Sequence, residues 1–471
     1  MAKSKPKVID RKVKETAFTI TNAVNVNFRS YAFYVLENRG IPAFQDALTN
    51  VQRFILMNAN KTFNKSLAVV GSSITDGYHH GNASIEKAIN KVTKEFGSAE
   101  TLLIGDGFFG SPVKPEASAA RYTSVKLNPI VSKYLDQYID LNKKEDDSAY
   151  SYIRSEIPLG LLTTVVGIGV GYASMILPRA IKDIEEFLEG KKSKLLPSFK
   201  NFNGRITAIE GSAKSWMIEG SVEINEKLKE IKITELPPLM KYDAFINKKV
   251  SKLLEDGVFQ FVMQNDSTDT IDIVFKYKGG STWDAFKEKI SKMIKMTVSE
   301  NIILIKDGQV IEYNSVQDYL SEFKIQRERN RLERSIYDRD SYSEELEFLK
   351  AKKLYLEFMI QKKRSDAEIE TFVRQFKSSI SSRLLRIYLR DLNPESIKRT
   401  EGEIKEMIAT LKKETERVIA LEESVRHLIE ITPQRSKVTK TVALIDDSDP
   451  EIESFNTVIE EESDEFIEEE E

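Results

Sequence analysis

The chain contains no cysteine among its 471 residues, which excludes disulfides and thiolate metal sites and fits a reducing interior. Histidine is almost as scarce, at three. No apolar run reaches the roughly 18 residues that a membrane-spanning helix needs. The longest candidate, "LGLLTTVVGIGVGYASMI", is broken by glycines and polar residues. The first residues, "MAKSKPKVIDRKVKET", are charged with no apolar segment behind them, so no signal peptide is expected. These absences predict a cytoplasmic protein with no membrane partner. Basic residues are missing from one region: Thr441 to Glu471 holds 14 Asp or Glu and no Lys or Arg.

That tail hides the charge of the rest. The formal net charge is −4, but without the tail 60 acidic residues face 70 basic ones, leaving about +10. A basic body with an acidic appendage suits a polyanion-binding protein, the tail being disordered and either solubilising or DNA-mimicking. At this length two to four structural units are expected. Residues 1–27 read as a polar N-terminal arm. Residues 28–158 read as compact and largely helical. There "IPAFQDALTNVQRFILMNAN" predicts a helix opening at Pro42 with Phe44, Leu48, Val51 and Ile55 on one face. "HHGNASIEKAINKVTKEF" repeats the pattern with Ile85, Ala88, Ile89, Val92 and Phe96. Two helices joined by a polar turn and followed by strand-like segments predict a winged helix-turn-helix.

Residues 159–320 alternate in short runs such as "SWMIEGSVEI" and "TIDIVFKY", interspersed with helical stretches such as "WDAFKEKISKMIKMT". An α+β domain is expected there. From 321 to 435 apolar residues recur at helical spacing, first from Tyr342 to Ile360 and again from Ile404 to Ile429. The pattern predicts a long antiparallel coiled coil around a small globular knob. Asn393 and Pro394 must interrupt it. Residues 436–471 form the acidic tail.

Chemistry concentrates in two places. "AARYTSVKL" follows the glycine-rich "LIGDGFFGSPVKP" and places Arg121 beside Tyr122. A phenol with a pKa near 10 is only about 0.1% ionised at pH 7, so a tyrosine nucleophile needs a base or a positive field nearby. "GYHHGNAS" holds two of the three histidines, His79 and His80, at the start of the second helix. A histidine there could orient a hydroxyl, take its proton or help bind a phosphate. Metal binding by the pair is disfavoured, because adjacent histidines project differently and no third ligand is near in sequence.

The blocks "ENRGIPAFQDALTNVQRFIL", "AVVGSSITDGYHHGNASIEKAI", "IGDGFFGS" with "AARYTSVKL", and "EIPLGLLTTVVGIGVGYASMILPR" occur in this order. Together they resemble the DNA breakage-reunion subunit of type IIA DNA topoisomerases, over about Phe28 to Ile429. The lack of a β-pinwheel and of an ATPase half makes the bacteriophage medium subunits the nearest branch. The resemblance implies a multidomain α+β protein: a winged-helix DNA-gate domain, an α/β tower domain and a coiled coil ending in a dimerisation knob. It implies that Tyr122 attacks a DNA phosphodiester and stays joined to the 5′ phosphate, assisted by Arg121, Arg39 and His80. DNA contacts are implied for His79, Arg53 and Lys65, and a base-pair wedge that bends the duplex for Ile157. Double-stranded DNA is the implied substrate and a homodimer the implied assembly. A TOPRIM/ATPase partner would hold Mg²⁺ and ATP; no metal ligands are expected in this chain. One departure concerns the lysine-proline the family carries before "VQR", replaced here by Thr49-Asn50. Two rivals compete with this reading. A tyrosine recombinase would need a scattered set of arginines and an "HxxR"-like element, which three histidines do not provide, and a non-enzymatic DNA-binding coiled-coil scaffold would leave Tyr122 structural.

Overall fold

The computed structural model describes residues 29–142, 150–255, 259–264, 270–279, 281–388 and 392–432. The expected N-terminal arm and acidic tail lie outside the described residues. Helix α1 (Arg29–Val35) runs into a π turn (Leu36–Gly40) that carries Arg39. Helices α2 (Asn50–Asn58), α3 (Ser66–Thr75) and α4 (Asn82–Thr93) then pack on one another. Strands β1 (Asn64–Lys65), β2 (Leu103–Asp106) and β3 (Ser124–Leu127) form an antiparallel sheet with β3 in the centre. Helices with a small sheet beside them are the elements of a winged helix. Helix α5 (Pro129–Leu135) follows, with the Asn128 side chain accepting the Ile130 N–H and proline in the first turn.

Helix α2 starts at Asn50, well after the Pro42 at which the apolar stripe opens. Pro42 to Ala47 are held instead by pairing with another part of the chain: Phe44 N–H donates to Ile305 O, and Ile305 N–H to Pro42 O. Ala47 then takes φ +56°, which ends any helical register. The helix begins after Thr49, whose N–H and hydroxyl both donate to the Gln52 side chain, at 2.9 and 3.1 Å. Thr49 thus serves as the cap of this helix.

Hairpin β4 (Val165–Gly169) and β5 (Tyr172–Ile176) leads to helix α6 (Ile181–Leu188). The main core gathers Phe44, Ile85, Val125, Leu161, Ile184 and, from far along the chain, Phe323. Packing therefore continues across the expected boundary at residue 158. Beyond it lie two antiparallel sheets. One orders β6 (Arg205–Ala208), β7 (Ser215–Glu219) and β12 (Lys295–Ser299) with β7 central. The other runs β8 (Ser221–Asn225), β9 (Glu230–Glu235), β11 (Ile273–Tyr277), β10 (Phe259–Gln264). Helix α7 (Trp283–Met293) covers this second sheet through Phe286 and Ile290, which join Ile233 and Phe275 in a separate core. Arg179 and Glu300, both buried, pair at 2.7 Å, and Trp216 Nε1 donates to the same carboxylate, tying the segment after β5 to the β7 sheet.

Hairpin β13 (Ile302–Lys306) and β14 (Gln309–Tyr313) feeds helix α8 (Val316–Gln361), 46 residues long. Short helices α9 (Asp366–Val373) and α10 (Ser378–Leu384) reverse the chain, and α11 (Pro394–Ile431) runs back for 38 residues. Asn393 caps α11 by accepting the Ser396 N–H at 2.8 Å, with Pro394 in the first turn. The ion pairs Lys353–Glu401 and Lys352–Glu403 descend one helix while climbing the other, so the two helices are antiparallel. Phe348, Leu349, Val373, Ile380 and Leu384 form a core of their own at the turn.

Candidate active site

Tyr122 lies at the entry to β3, and its environment separates backbone from side chain. The residue is 70% exposed, with the Arg121 guanidinium 5.5 Å from its ring centroid. The next residue, Thr123, is fully buried: its hydroxyl lies 2.7 Å from Ser66 Oγ, and its carbonyl accepts the Ser66 N–H. Lys65 is exposed and pairs with Ser124 in the β1–β3 register, one strand away from the tyrosine. Gly107, at φ +108°, lies against this turn; a Cβ there would meet Thr123 Cγ2 at 3.3 Å. The intervening loop is anchored by Val113, which is buried in the core beneath the β8–β11 sheet. The result is a phenol in solvent on a backbone held at both ends.

Arg39 and His80 are brought together across 41 residues, with Arg39 Nη2 3.0 Å from His80 Nδ1. Burial, followed by the positive charges of Arg39 and His79, holds the His80 pKa below the ordinary imidazole value. The Tyr78 ring packs edge-on against His80 at 5.0 Å, and its own hydroxyl is 3.5 Å from Ser84 Oγ. His79 is exposed. Among the described residues no hydrogen bond or ring contact joins the Arg121–Tyr122 pair to the Arg39–His80 pair.

Two expected contacts are corrected. Arg53, expected to grip the DNA backbone, is only 4% exposed and committed to the interior. Its Nε donates to Asp46 Oδ2 at 2.7 Å and its Nη2 to Leu48 O at 2.8 Å. Asp46 also accepts the Ile153 N–H, so this ion pair ties three segments together. Ile157, expected to wedge between base pairs, is 1% exposed in the main core. A side chain packed there cannot enter a duplex without unfolding its surroundings. Exposed apolar residues lie on the neighbouring β4–β5 hairpin instead: Ile168 is 44% exposed and Val170 39%. The sequence carries a signal for them in the glycine-spaced "VVGIGVGYA", where small residues leave the apolar ones standing clear.

That hairpin touches the Arg39 turn directly. A Cβ on Gly167 would meet Gly40 O at 2.2 Å, and one on Gly40 would meet Ile168 O at 2.4 Å. Only glycine allows the two backbones to approach this closely. Among the described residues no group of three or more His, Asp or Glu could hold a metal. No helix among the described residues is long and apolar enough to cross a membrane.

The family model for the A subunit of DNA gyrase/topoisomerase IV matches residues 39–459. The DNA topoisomerase medium subunit of Enterobacteria phage T4 is 28% identical over 317 residues, covering 62% of this chain and 70% of that protein. The A subunit of DNA topoisomerase 4 from Rickettsia prowazekii is 23% identical over 402 residues, 76% of this chain but 54% of its own length. Against most of these relatives, then, the chain spans about half their length or less. In three dimensions the Plasmodium falciparum topoisomerase II DNA-binding, cleavage and re-ligation domain superposes with a TM-score of 0.71 at 22% identity, over 87% of this chain and 64% of that one. The chain belongs to the family of DNA gyrase/topoisomerase IV A subunits.

Proposed function

We propose that this subunit opens a double-stranded break in one DNA duplex through Tyr122, lets a second duplex pass, and reseals the first. The observation that carries the assignment to Tyr122 is the solvent-facing phenol on a rigidly held turn, with a guanidinium beside its ring. In the first step Tyr122 Oη attacks the phosphorus. The P–Oη bond forms, the P–O3′ bond breaks, the phenol loses a proton and the 3′ oxygen gains one. Arg121 stabilises charge gathering on the phosphate. The phosphotyrosine ester stores roughly the energy of the bond it replaced, so the 3′ hydroxyl can reverse the step without ATP.

Arg39 and His80 belong to the phosphate site, while Lys65 and His79 contact the backbone nearby. Ile168, exposed on its hairpin, takes the wedge role in place of Ile157. An apolar wedge loses a few kcal/mol of stacking, offset by wrapping more backbone on the protein. Two copies pair. Exposed Leu67 and Ile74 on α3 suit one contact at the gate, and exposed Leu385 and Tyr388 beside α10 suit a second at the knob of the α8–α11 coiled coil. The partner subunit supplies ATP hydrolysis and the Mg²⁺ site. The described part of residues 28–158 serves as the gate, 159–320 as the tower and 321–435 as the exit gate.

The test mixes the purified chain with a TOPRIM/ATPase partner, Mg²⁺ and end-labelled duplex, then quenches with detergent. A covalent adduct on the 5′ end that vanishes in Tyr122→Phe is expected. An adduct surviving in the variant would move the chemistry to another residue, and no adduct in any mixture would leave a DNA-binding scaffold.

A further inference from the structure

The Arg39–His80 contact constrains chemistry that family membership leaves open. A guanidinium has five N–H donors, no acceptor, and keeps its proton at any pH a protein survives. At 3.0 Å from Arg39 Nη2, His80 Nδ1 must therefore be the acceptor, and it cannot carry a hydrogen. In a neutral imidazole the remaining hydrogen then sits on Nε2. Protonating the ring would put an N–H on Nδ1 facing the guanidinium, exchanging a hydrogen bond for a repulsion. The charges felt at the ring, Arg39 and His79, are both positive and act in the same direction. Tyr78, which packs on its edge, and Ser84, which meets the Tyr78 hydroxyl, are neutral hydroxyl side chains.

Resting on the cleavage reading, we infer that Arg39 and Tyr78 clamp His80 as the neutral Nε2–H tautomer, a fixed hydrogen-bond donor to the DNA phosphate and not the base that deprotonates Tyr122. Arg39 and Tyr78 are positioning residues in this arrangement. Nδ1 is occupied and Nε2 already bears a proton, so the ring has no free lone pair for the phenol's hydrogen. That proton goes to solvent water, to which the 70% exposed Tyr122 is open. Tyr78 contributes by fixing the ring plane: it is 6% exposed and held from behind by Phe54 at 5.4 Å.

With three histidines in the chain, ¹⁵N-imidazole labelling of the full-length protein resolves the question directly. His80→Gln identifies the His80 signals by their loss. The expected spectrum at neutral pH shows an unprotonated Nδ1 and a protonated Nε2, turning into a mixture of tautomers in Arg39→Ala. A proton on Nδ1, or an imidazolium at neutral pH, overturns the inference whatever the activity does. The second arm measures 5′ adduct with the partner present, with Tyr122→Phe as the blank. A glutamine amide donates from nearly the same place but cannot act as a base. His80→Gln is expected to form at least about tenfold more adduct than His80→Ala. Equal loss in both variants, beside an active wild type, overturns the donor role. A wild type with no adduct defeats the cleavage reading, while the tautomer is still decided by the spectrum.

Discussion

Arg39 and Arg53 lie close together in the sequence, and the family resemblance implies phosphate-directed roles for both, yet the two regions that hold them follow opposite rules. Around Arg53 the charge is withdrawn from water. Asp46 faces it, backbone N–H groups of Leu48 and Ile153 also donate to that carboxylate, and the pair closes the join between the turn before α2 and the chain at Ile153. Around Arg39 the guanidinium lies toward the surface and its partner is an imidazole, not a carboxylate. A buried arginine is expensive unless paired, so its partner defines its role. An arginine on a surface turn fixed by close backbone packing keeps charge available for a ligand. Exposure together with partner identity, not residue type, separates a charge committed to the fold from one left open to a ligand.

The largest effect expected from this contrast is on chemistry without stability. Tyr122→Phe should remove the covalent adduct completely and leave the thermal midpoint where it was, because the hydroxyl makes no hydrogen bond among the described residues. A midpoint shift of several degrees would mean that the phenol also holds the fold. Next, Arg53→Ala should lower unfolding free energy by about 3–5 kcal/mol in urea titrations, the usual effect of stranding one member of a buried pair. Were stability unchanged while DNA affinity fell, Arg53 would belong with Arg39 after all. Gly167→Ala sits between the two regions. It forces the hairpin off Gly40 and should cost about 1–3 kcal/mol, with a disproportionate loss of adduct because Arg39 follows the displaced turn. At the small end, Lys61→Ala breaks a pair with Asp136 whose side chains are 67% and 46% exposed. A change of about 0–1 kcal/mol is expected, with none at high salt.

How much the sequence makes legible follows from the range of the interactions involved. Helix α4 is readable because Ile85, Ile89 and Val92 repeat at helical spacing, and all three are buried. The start of α11 is readable from Asn393-Pro394 alone. The turn before α2 is not, since its hydrogen bonds run to Ile305, and nothing near Pro42 announces that partner. Arg53 misleads for the same reason: Asp46 is near in sequence, but the burial that makes the pair obligatory comes with Ile153 and Tyr150. Ile157 misleads because an isoleucine before proline looks alike in a core and on a surface, and only packing distinguishes them. The same holds for the segment 159–195, whose glycine-rich opening resembles a new unit yet completes the first core.

Helix α8 has a mechanical meaning. At about 1.5 Å per residue its 46 residues span about 69 Å. Val316, Tyr319, Leu320 and Phe323 in its first turns are embedded in the main core, and Arg331 Nε donates to both carboxylate oxygens of Glu156, at 2.9 and 3.1 Å. The far end carries a separate core around Phe348 and Leu349. A rod clamped at one end and loaded at the other is a lever. A tilt of about 10° at the clamp would sweep the far end through roughly 12 Å over this length. Motions too small to disturb the packing around Tyr122 would be large at the far end of the rod, and a pull there would return as torque at the clamp.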